Sequence, residues 1–467
     1  MRHLGYLLVT MLLVLLTGCT VGPNYKRPTA AVPDRYRGLT AEEAAKAEAA
    51  SFGNEKWWQV FQDKELQGLV RTALEHNYDV RIAATRILQA QAVLGITRAD
   101  QFPSVSATVG ADNQRIPESK LSPPLYTSTN HVSLAMFWEL DFWGKFRRAT
   151  EAARADLLAT EWGKRAVLTT LVSNVAGAYF QLRELDLQLD IAKRTLGTRQ
   201  ESLRLVNIRA KGGVVSMLDV RQSEQLVYGA AAAIPDLERQ IEQQENFISI
   251  LLGQNPGPVP RGEPLTAIHF LPSVPAGLPS ALLERRPDIQ VAEQGVVAAN
   301  ARIGVAKASY FPSISLTGVG GYQSSALLGL FSGPAGLWSL AANPVQPIFQ
   351  GGRLRSNVRL TEARQQEAAL VYQATIQQSF REVSDSLVAY QKNQEFRKQQ
   401  ELLTGSAADA TRLSNMRYEG GTTSYLEVLD SDTRYFEAQN TLAKAQLNEL
   451  LAVVQLYRAL GGGWEQQ

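Results

Sequence analysis

The chain holds one thiol and four imidazoles, and neither group is arranged for catalysis. Cys19 is the only cysteine, so no intrachain disulfide and no cysteine-based metal cluster can form. His3, His76, His131 and His269 are dispersed, and no phosphate-binding glycine-rich loop or metal-ligand spacing accompanies them. This pattern predicts no enzyme, no metal and no cofactor. Two kinds of chemistry remain, acylation and electrostatics. Cys19 follows Leu16-Thr17-Gly18, which closes an apolar run from Leu4 behind Arg2 and His3. The run is too short to span a membrane comfortably and reads as an export signal, residues 1–18, cleaved before Cys19. The pattern resembles a bacterial lipobox. It implies a diacylglycerol on the Cys19 thiol and an N-acyl chain such as palmitate; an ordinary signal peptide with a chance cysteine is the plainer alternative. Thr20 is not the aspartate associated with inner-membrane retention of lipoproteins, which directs the anchor to the outer membrane. The electrostatic candidates are Glu427 and Asp430, three residues apart just beyond Gly420-Gly421 and so on one helical face. Two acids near a helix start also complement its dipole, an effect of about 0.3–1 kcal/mol.

The elements that would position these groups follow from repetition and from proline. With 47 Lys+Arg against 45 Asp+Glu, the formal charge of +2 argues against a large nucleic-acid footprint. Phe102-Pro103-Ser104-Val105-Ser106 reappears as Phe311-Pro312-Ser313-Ile314-Ser315, an offset of 209 residues. Arg209-Ala210-Lys211-Gly212-Gly213 through Val220 returns as Arg417-Tyr418-Glu419-Gly420-Gly421 through Val428, an offset of 208. Phe142-Trp143-Gly144-Lys145 against Phe349-Gln350-Gly351-Gly352 is a weaker third match. Each half therefore predicts a helix, a strand, a loop, a strand, a very long helix, a Gly-Gly turn and a further long helix. The halves join in a proline-rich linker, 253–279. No proline interrupts the chain between Pro124 and Pro235 or after Pro347. Leu168, Leu171, Val175, Ala178, Leu182, Leu185, Leu189, Ala192 and Leu196 step by threes and fours, and Ile376, Phe380, Val383, Leu387 and Tyr390 echo them. A helix from Gly144 to Lys211 would be roughly 100 Å long at 1.5 Å per residue. Such lengths, folded back at Gly212-Gly213 and Gly420-Gly421, suggest hairpins crossing a wide compartment.

Beyond residue 19 no run approaches 18 apolar residues, so any membrane crossing must use strands. Val105, Ala107, Val109 and Ala111 alternate with Ser104, Ser106, Thr108 and Gly110; Val132, Leu134, Met136 and Trp138 do the same, as do Ile314 and Leu316. A last strand falls near Leu337 to Ala342. A soluble hairpin with one buried face fits this alternation too. Two strands per half give four per chain, whereas outer-membrane barrels begin at about eight. Spanning strands therefore require an oligomer, and periodicity leaves two, three or four copies open.

Cys19-x-x-Gly22-Pro23-x-Tyr25-x-x-Pro28, Trp57-Trp58-x-x-Phe61-x-Asp63 and Arg286-Pro287-Asp288-Ile289 resemble signatures of the outer-membrane factor family of tripartite efflux pumps, the TolC superfamily, and of its lipidated OprM/NodT-type branch. The resemblance runs from Cys19 almost to the end. It implies a mainly helical TolC-like fold with membrane β-structure: a homotrimer whose long hairpins form one α-barrel and whose four strands per chain complete a twelve-stranded barrel. The corresponding division is a lipidated equatorial segment, 19–62, a first repeat, 63–252, the linker, a second repeat, 280–460, and a tail, 461–467. The implied function is passive: an exit duct in the outer membrane, extending into the periplasm, fed by a periplasmic adaptor and an inner-membrane transporter of the RND type. Glu427 and Asp430 then match constriction acids and Leu426 a hydrophobic ring at a periplasmic gate. Tyr418 and Asp219 match a latch between inner and outer coils, although Thr423 stands where a basic partner is expected; Arg417 and Arg221 are the available substitutes. Gly213, Ser216 and Leu218, mirrored by Gly421 and Ser424, resemble adaptor-docking tips, and equally a turn with a serine N-cap. A lipid-anchored periplasmic coiled-coil scaffold or adaptor without a pore is the competing function; it leaves the paired strands unexplained.

Overall fold

A computed structural model of the chain describes residues 20–37, 51–117, 123–268 and 277–464. The expected signal segment, 1–18, and Cys19, His269 and part of the linker lie outside the described residues. A short helix α1 (Trp57–Val60) precedes α2 (Lys64–His76), α3 (Tyr78–Ala99), β1 (Ser104–Ile116), β2 (Leu125–Leu140), α4 (Lys145–Lys211) and α5 (Met217–Leu251). The second half repeats the order: α6 (Pro279–Arg285), α7 (Pro287–Ala308), β3 (Ser313–Ser324), β4 (Gly336–Val345), α8 (Arg353–Glu419) and α9 (Tyr425–Ala459). The duplication extends to length, since α4 and α8 each have 67 residues and α5 and α9 each have 35. Pro235 lies inside α5, where it removes one helical donor without ending the helix. No described helix is long and apolar enough to cross a membrane.

The chain divides into two compact units that each draw on both halves. The first comprises residues up to 29, 86–161 and 291–373 and contains the sheet. Its strands lie in the order β1-β2-β3-β4, all antiparallel, so β2 and β3 join the two halves. The fourth strand is longer than the sequence suggests, because Ser313 still pairs with Val345. Register brings the alternating sets together on one face. Val105 pairs with Met136, Ala107 with Leu134 and Val109 with Val132; Trp138 pairs with Leu316, and Gly320 with Trp338. That face is apolar across four strands, and Ser104, Ser106, Thr108, Ser133, Ser315 and Asn343 occupy the other. It is also uncovered: Val109 is 76% exposed and Trp338 83%. Gly321 sits where a Cβ would come within 2.2 Å of the Val132 carbonyl, so only glycine lets β3 approach β2 there.

The same unit straps down the segment that follows Cys19. Val21 donates its N–H to the Trp143 carbonyl at 3.0 Å, Asn300 donates to Pro23 O at 2.9 Å, and the buried Arg148 reaches Asn24 Oδ1 at 2.7 Å. Tyr25 and Arg27 both donate to Glu293, at 3.0 and 2.5 Å.

The second unit comprises 30–85, 162–290 and 374–467 and holds the principal core. Leu168, Leu171, Leu182 and Leu185 of α4 are buried there, as are Val383 and Leu387 of α8. The motif residues have structural work in this unit. Trp57 and Phe61 are buried, and Phe61 packs edge-on against Phe180 and Tyr457. Asp63 caps α2 by accepting from Glu65 N and Leu66 N, and its other oxygen receives the Tyr179 hydroxyl at 2.8 Å. The linker is pinned to the same pair, with Gly262 N on the Tyr179 hydroxyl and Glu263 N on Asp63. Arg286, buried, pairs with Asp288 at 2.6 Å and Glu382 at 2.7 Å, satisfying a charge that burial alone would penalise.

Candidate functional site

The two hairpins of the second unit end in turns of identical construction. At the end of α4, Gly213 adopts a positive φ of 73°, its N–H reaches the Ala210 carbonyl, and Val214 N reaches Arg209 O at 2.9 Å. At the end of α8, Gly421 has φ 71°, its N–H reaches Tyr418 O, and Thr422 N reaches Arg417 O at 2.9 Å. Both are left-handed C-caps that close the helix by bonding back to its last carbonyls, which is why the second glycine of each pair is required.

The helices that follow start differently. Ser216 caps α5 reciprocally with Asp219: the serine hydroxyl accepts from Asp219 N and the carboxylate accepts from Ser216 N at 3.1 Å. Ser424 occupies the N-cap of α9 without a side-chain cap. The acid three residues on, Glu427, is turned instead to Arg417 at 2.9 Å and to the Thr423 hydroxyl. Asp430 pairs with Arg434 one turn along, at 2.9 Å. Glu427, Asp430 and Leu426 are all accessible, with Leu426 59% exposed. Val214, Met217 and Leu218 at the first tip are likewise exposed.

The tips are held to each other by a small core of Val206, Val220, Tyr425 and Val428, against which Tyr418 packs. Tyr418 meets Tyr425 edge-on at 5.3 Å. Asp219 is close enough to add to the upward push that burial exerts on the Tyr418 hydroxyl pKa, yet no hydrogen bond joins the two side chains within the chain. Arg221 bonds Glu224 on its own helix at 2.7 Å, and Arg417 serves Glu427. At the tips themselves, the cation that bridges the hairpins is Arg209. It donates to Tyr418 O and Glu419 O, both at 3.1 Å, and lies over the Tyr418 ring at 4.8 Å. Farther from the tip, buried Arg199 binds Asp432 at 2.7 Å and Leu226 O at 3.0 Å, tying α4 to α5 and α9. Sequence reasoning gave neither arginine a role. Arg209 does open the repeated tip motif, and its counterpart is Arg417; the repeat keeps the residue type and changes the partner.

The chain belongs to the outer membrane efflux protein family, whose model matches residues 69–254 and 278–462. It is 38% identical over 460 residues to the solvent efflux pump outer membrane protein SrpC of Pseudomonas putida, covering 97% of each chain. It is 35% identical over 454 residues to the cation efflux system protein CusC of Escherichia coli O6:H1, again covering 97% of each. Among solved structures it matches the open state of the Neisseria gonorrhoeae MtrE outer membrane channel with a TM-score of 0.86 and 30% identity, over 96% of this chain and 99% of that one. The fold is TolC-like, the location is the outer membrane and the role is that of an efflux-pump channel.

Proposed function

We propose that three copies of the chain form a passive exit duct, closed at rest by the hairpin tips and opened when an adaptor docks on them. The sheet carries this reading. It has one continuous apolar, uncovered face and a free edge at both β1 and β4, and hydrocarbon tolerates no unpaired strand edge. Further copies must close it. Three copies give the twelve-stranded barrel of the family resemblance, with the apolar face to lipid and the serine-rich face to the lumen. Residues 63–252 and 280–460 are then the repeats that each supply two strands and one hairpin.

Cys19 is read as the acylated anchor. Its neighbours support this, since Val21 is fixed to Trp143 just beyond the end of β2, where a lipid chain would enter the bilayer. Glu427 and Asp430 serve as acidic rings and Leu426 as a hydrophobic ring around the axis; Tyr418 and Asp219 belong to the latch. The exposed tip around Gly213, Ser216, Leu218, Gly421 and Ser424 is the docking surface for a periplasmic adaptor, with an RND-type transporter upstream. Selection of cargo rests with that transporter, in keeping with relatives of similar identity named for solvents and for cations. No catalytic role is assigned. Removing both gate acids, Glu427→Ala with Asp430→Ala, should raise single-channel conductance in planar bilayers. Unchanged conductance would take these acids out of the gate.

A further inference from the structure

In the first unit, residues 325–335 join β3 to β4 at the end of the sheet away from the helices. From Ala308 to Gly352 the sequence holds no charged residue, so this whole hairpin is neutral, whereas β1 carries Asp112 and Arg115. The loop begins where the apolar sheet face ends. Beyond Val132 that face turns polar, through Asn130, the Asn113–Ser128 pair and Arg115 opposite Tyr126. Ser324, the last residue of β3, pairs with Asn130, whose side-chain amide donates to Ser324 O at 3.4 Å and Ser325 O at 3.3 Å. The neutral loop is thus held at the level where apolar gives way to polar.

Its construction suits contact with hydrocarbon. Two 3-10 turns, Leu327–Gly329 and Gly333–Ala335, place the N–H groups of Gly329, Leu330, Ser332 and Ala335 on carbonyls of the loop itself, and Ala326 N bonds Ser324 Oγ at 3.3 Å. Leu330 is buried, while Leu328 is fully exposed and Leu327 and Phe331 are 70% and 73% exposed. Phe331 fixes the side on which the loop lies: its ring stands edge-on to Tyr322 at 5.7 Å, and Tyr322 shares the apolar face with Val132 and Trp338. No charge on the hairpin offers a protein partner a fixed orientation, whereas aromatic rings beside aliphatic side chains collect at the boundary between hydrocarbon and head groups. We propose that the loop 325–335 inserts Leu327, Leu328 and Phe331 among the acyl chains of the outer leaflet, a membrane-docking surface independent of acylation at Cys19. The inference rests on the reading that the sheet spans the outer membrane, which puts this end of β3 at the outer leaflet. A loop engaged with lipid on that side does not fold across the mouth of the duct.

The test is site-directed spin labelling of the full-length protein in vesicles of phosphatidylethanolamine and phosphatidylglycerol, with the unsubstituted chain supplying the background from Cys19. A nitroxide on Leu328→Cys should collide freely with oxygen and lose its response to a water-soluble nickel complex. One on Gln114→Cys, in β1 beyond the level of Asn130, should respond to nickel in full. Val109→Cys, on the apolar sheet face, tests the membrane reading separately and should behave as Leu328→Cys does. Leu328 open to nickel while Val109 is shielded would place the loop in water and overturn the loop assignment alone. Leu328 shielded from both reagents would place it under a neighbouring copy of the chain, and overturn the assignment equally. Val109 open to nickel would sink the membrane reading and the proposal with it.

Discussion

Replacing Arg209 by alanine should loosen the contact between the two hairpin tips. The side chain makes two charged hydrogen bonds to carbonyls of the other hairpin and covers the Tyr418 ring. At a half-buried position each bond contributes about 1 kcal/mol net and the ring contact about 0.5–1 kcal/mol. The loss is then about 2.5–3 kcal/mol per chain, near a hundredfold in the equilibrium between joined and separated tips. The hydrophobic contacts of Val206, Val220, Tyr425 and Val428 survive the change, so the hairpins themselves should remain folded. Single-channel recording in planar bilayers should show a higher open probability for Arg209→Ala. Arg209→Lys should be intermediate, because a point charge cannot span both carbonyls and also stack. Arg204→Ala is the matched control: that arginine is exposed and, among the described residues, bonds Glu201 on its own helix. If Arg209→Ala gates no differently from Arg204→Ala, the bridge does not bear on gating and the reasoning fails.

The strand alternation gives a second test. Leu340→Lys, on the apolar face midway along β4, should cost about 2–4 kcal/mol and abolish heat-modifiable trimers, while Ser339→Lys, one residue before and facing the other way, should be tolerated. Equal behaviour of the two would dismiss the lipid-facing assignment. A third concerns Glu184, whose carboxyl burial pushes above the ordinary carboxylate value, with Lys444 and Gln188 pulling it back. Its folded pKa is raised, so the folded chain binds more protons than the unfolded one between the two values. The resulting stability is present at and below the ordinary carboxylate pKa and declines as pH rises toward the raised one. Glu184→Gln should therefore raise the heat-dissociation temperature at neutral pH and change it little near pH 4; a gain independent of pH would point to packing instead.

The long helices were legible because their signals are local and redundant: absent prolines, heptad spacing and a Gly-Gly stop repeated 208 residues later. Strand existence was legible from alternation. What alternation could not supply was register, and register is what merges four short apolar stripes into one face. At the tips, the turn glycines and Ser216 were readable because capping involves residues three apart. The bridge of Arg209 was not, since its acceptors are backbone carbonyls 209 and 210 residues away that carry no sequence label. The same holds for Arg199 and Asp432, and for the motif residues Asp63 and Arg286, whose patterns were recognisable while their partners, Tyr179 and Glu382, were not.

The pairing of β2 with β3 also sets a timetable. Leu140 ends the second strand of the first hairpin, yet its partner Ile314 belongs to the other half of the chain. At 5–20 residues per second, the roughly 170 intervening residues take about 9–35 s to synthesise. For that interval the first hairpin presents an open, aggregation-prone edge, and even the finished chain still lacks neighbours for β1 and β4. Folding dominated by such distant contacts is slow. Chaperone-held delivery to the membrane is thus a demand of the strand order itself, as much as of the water between the two membranes.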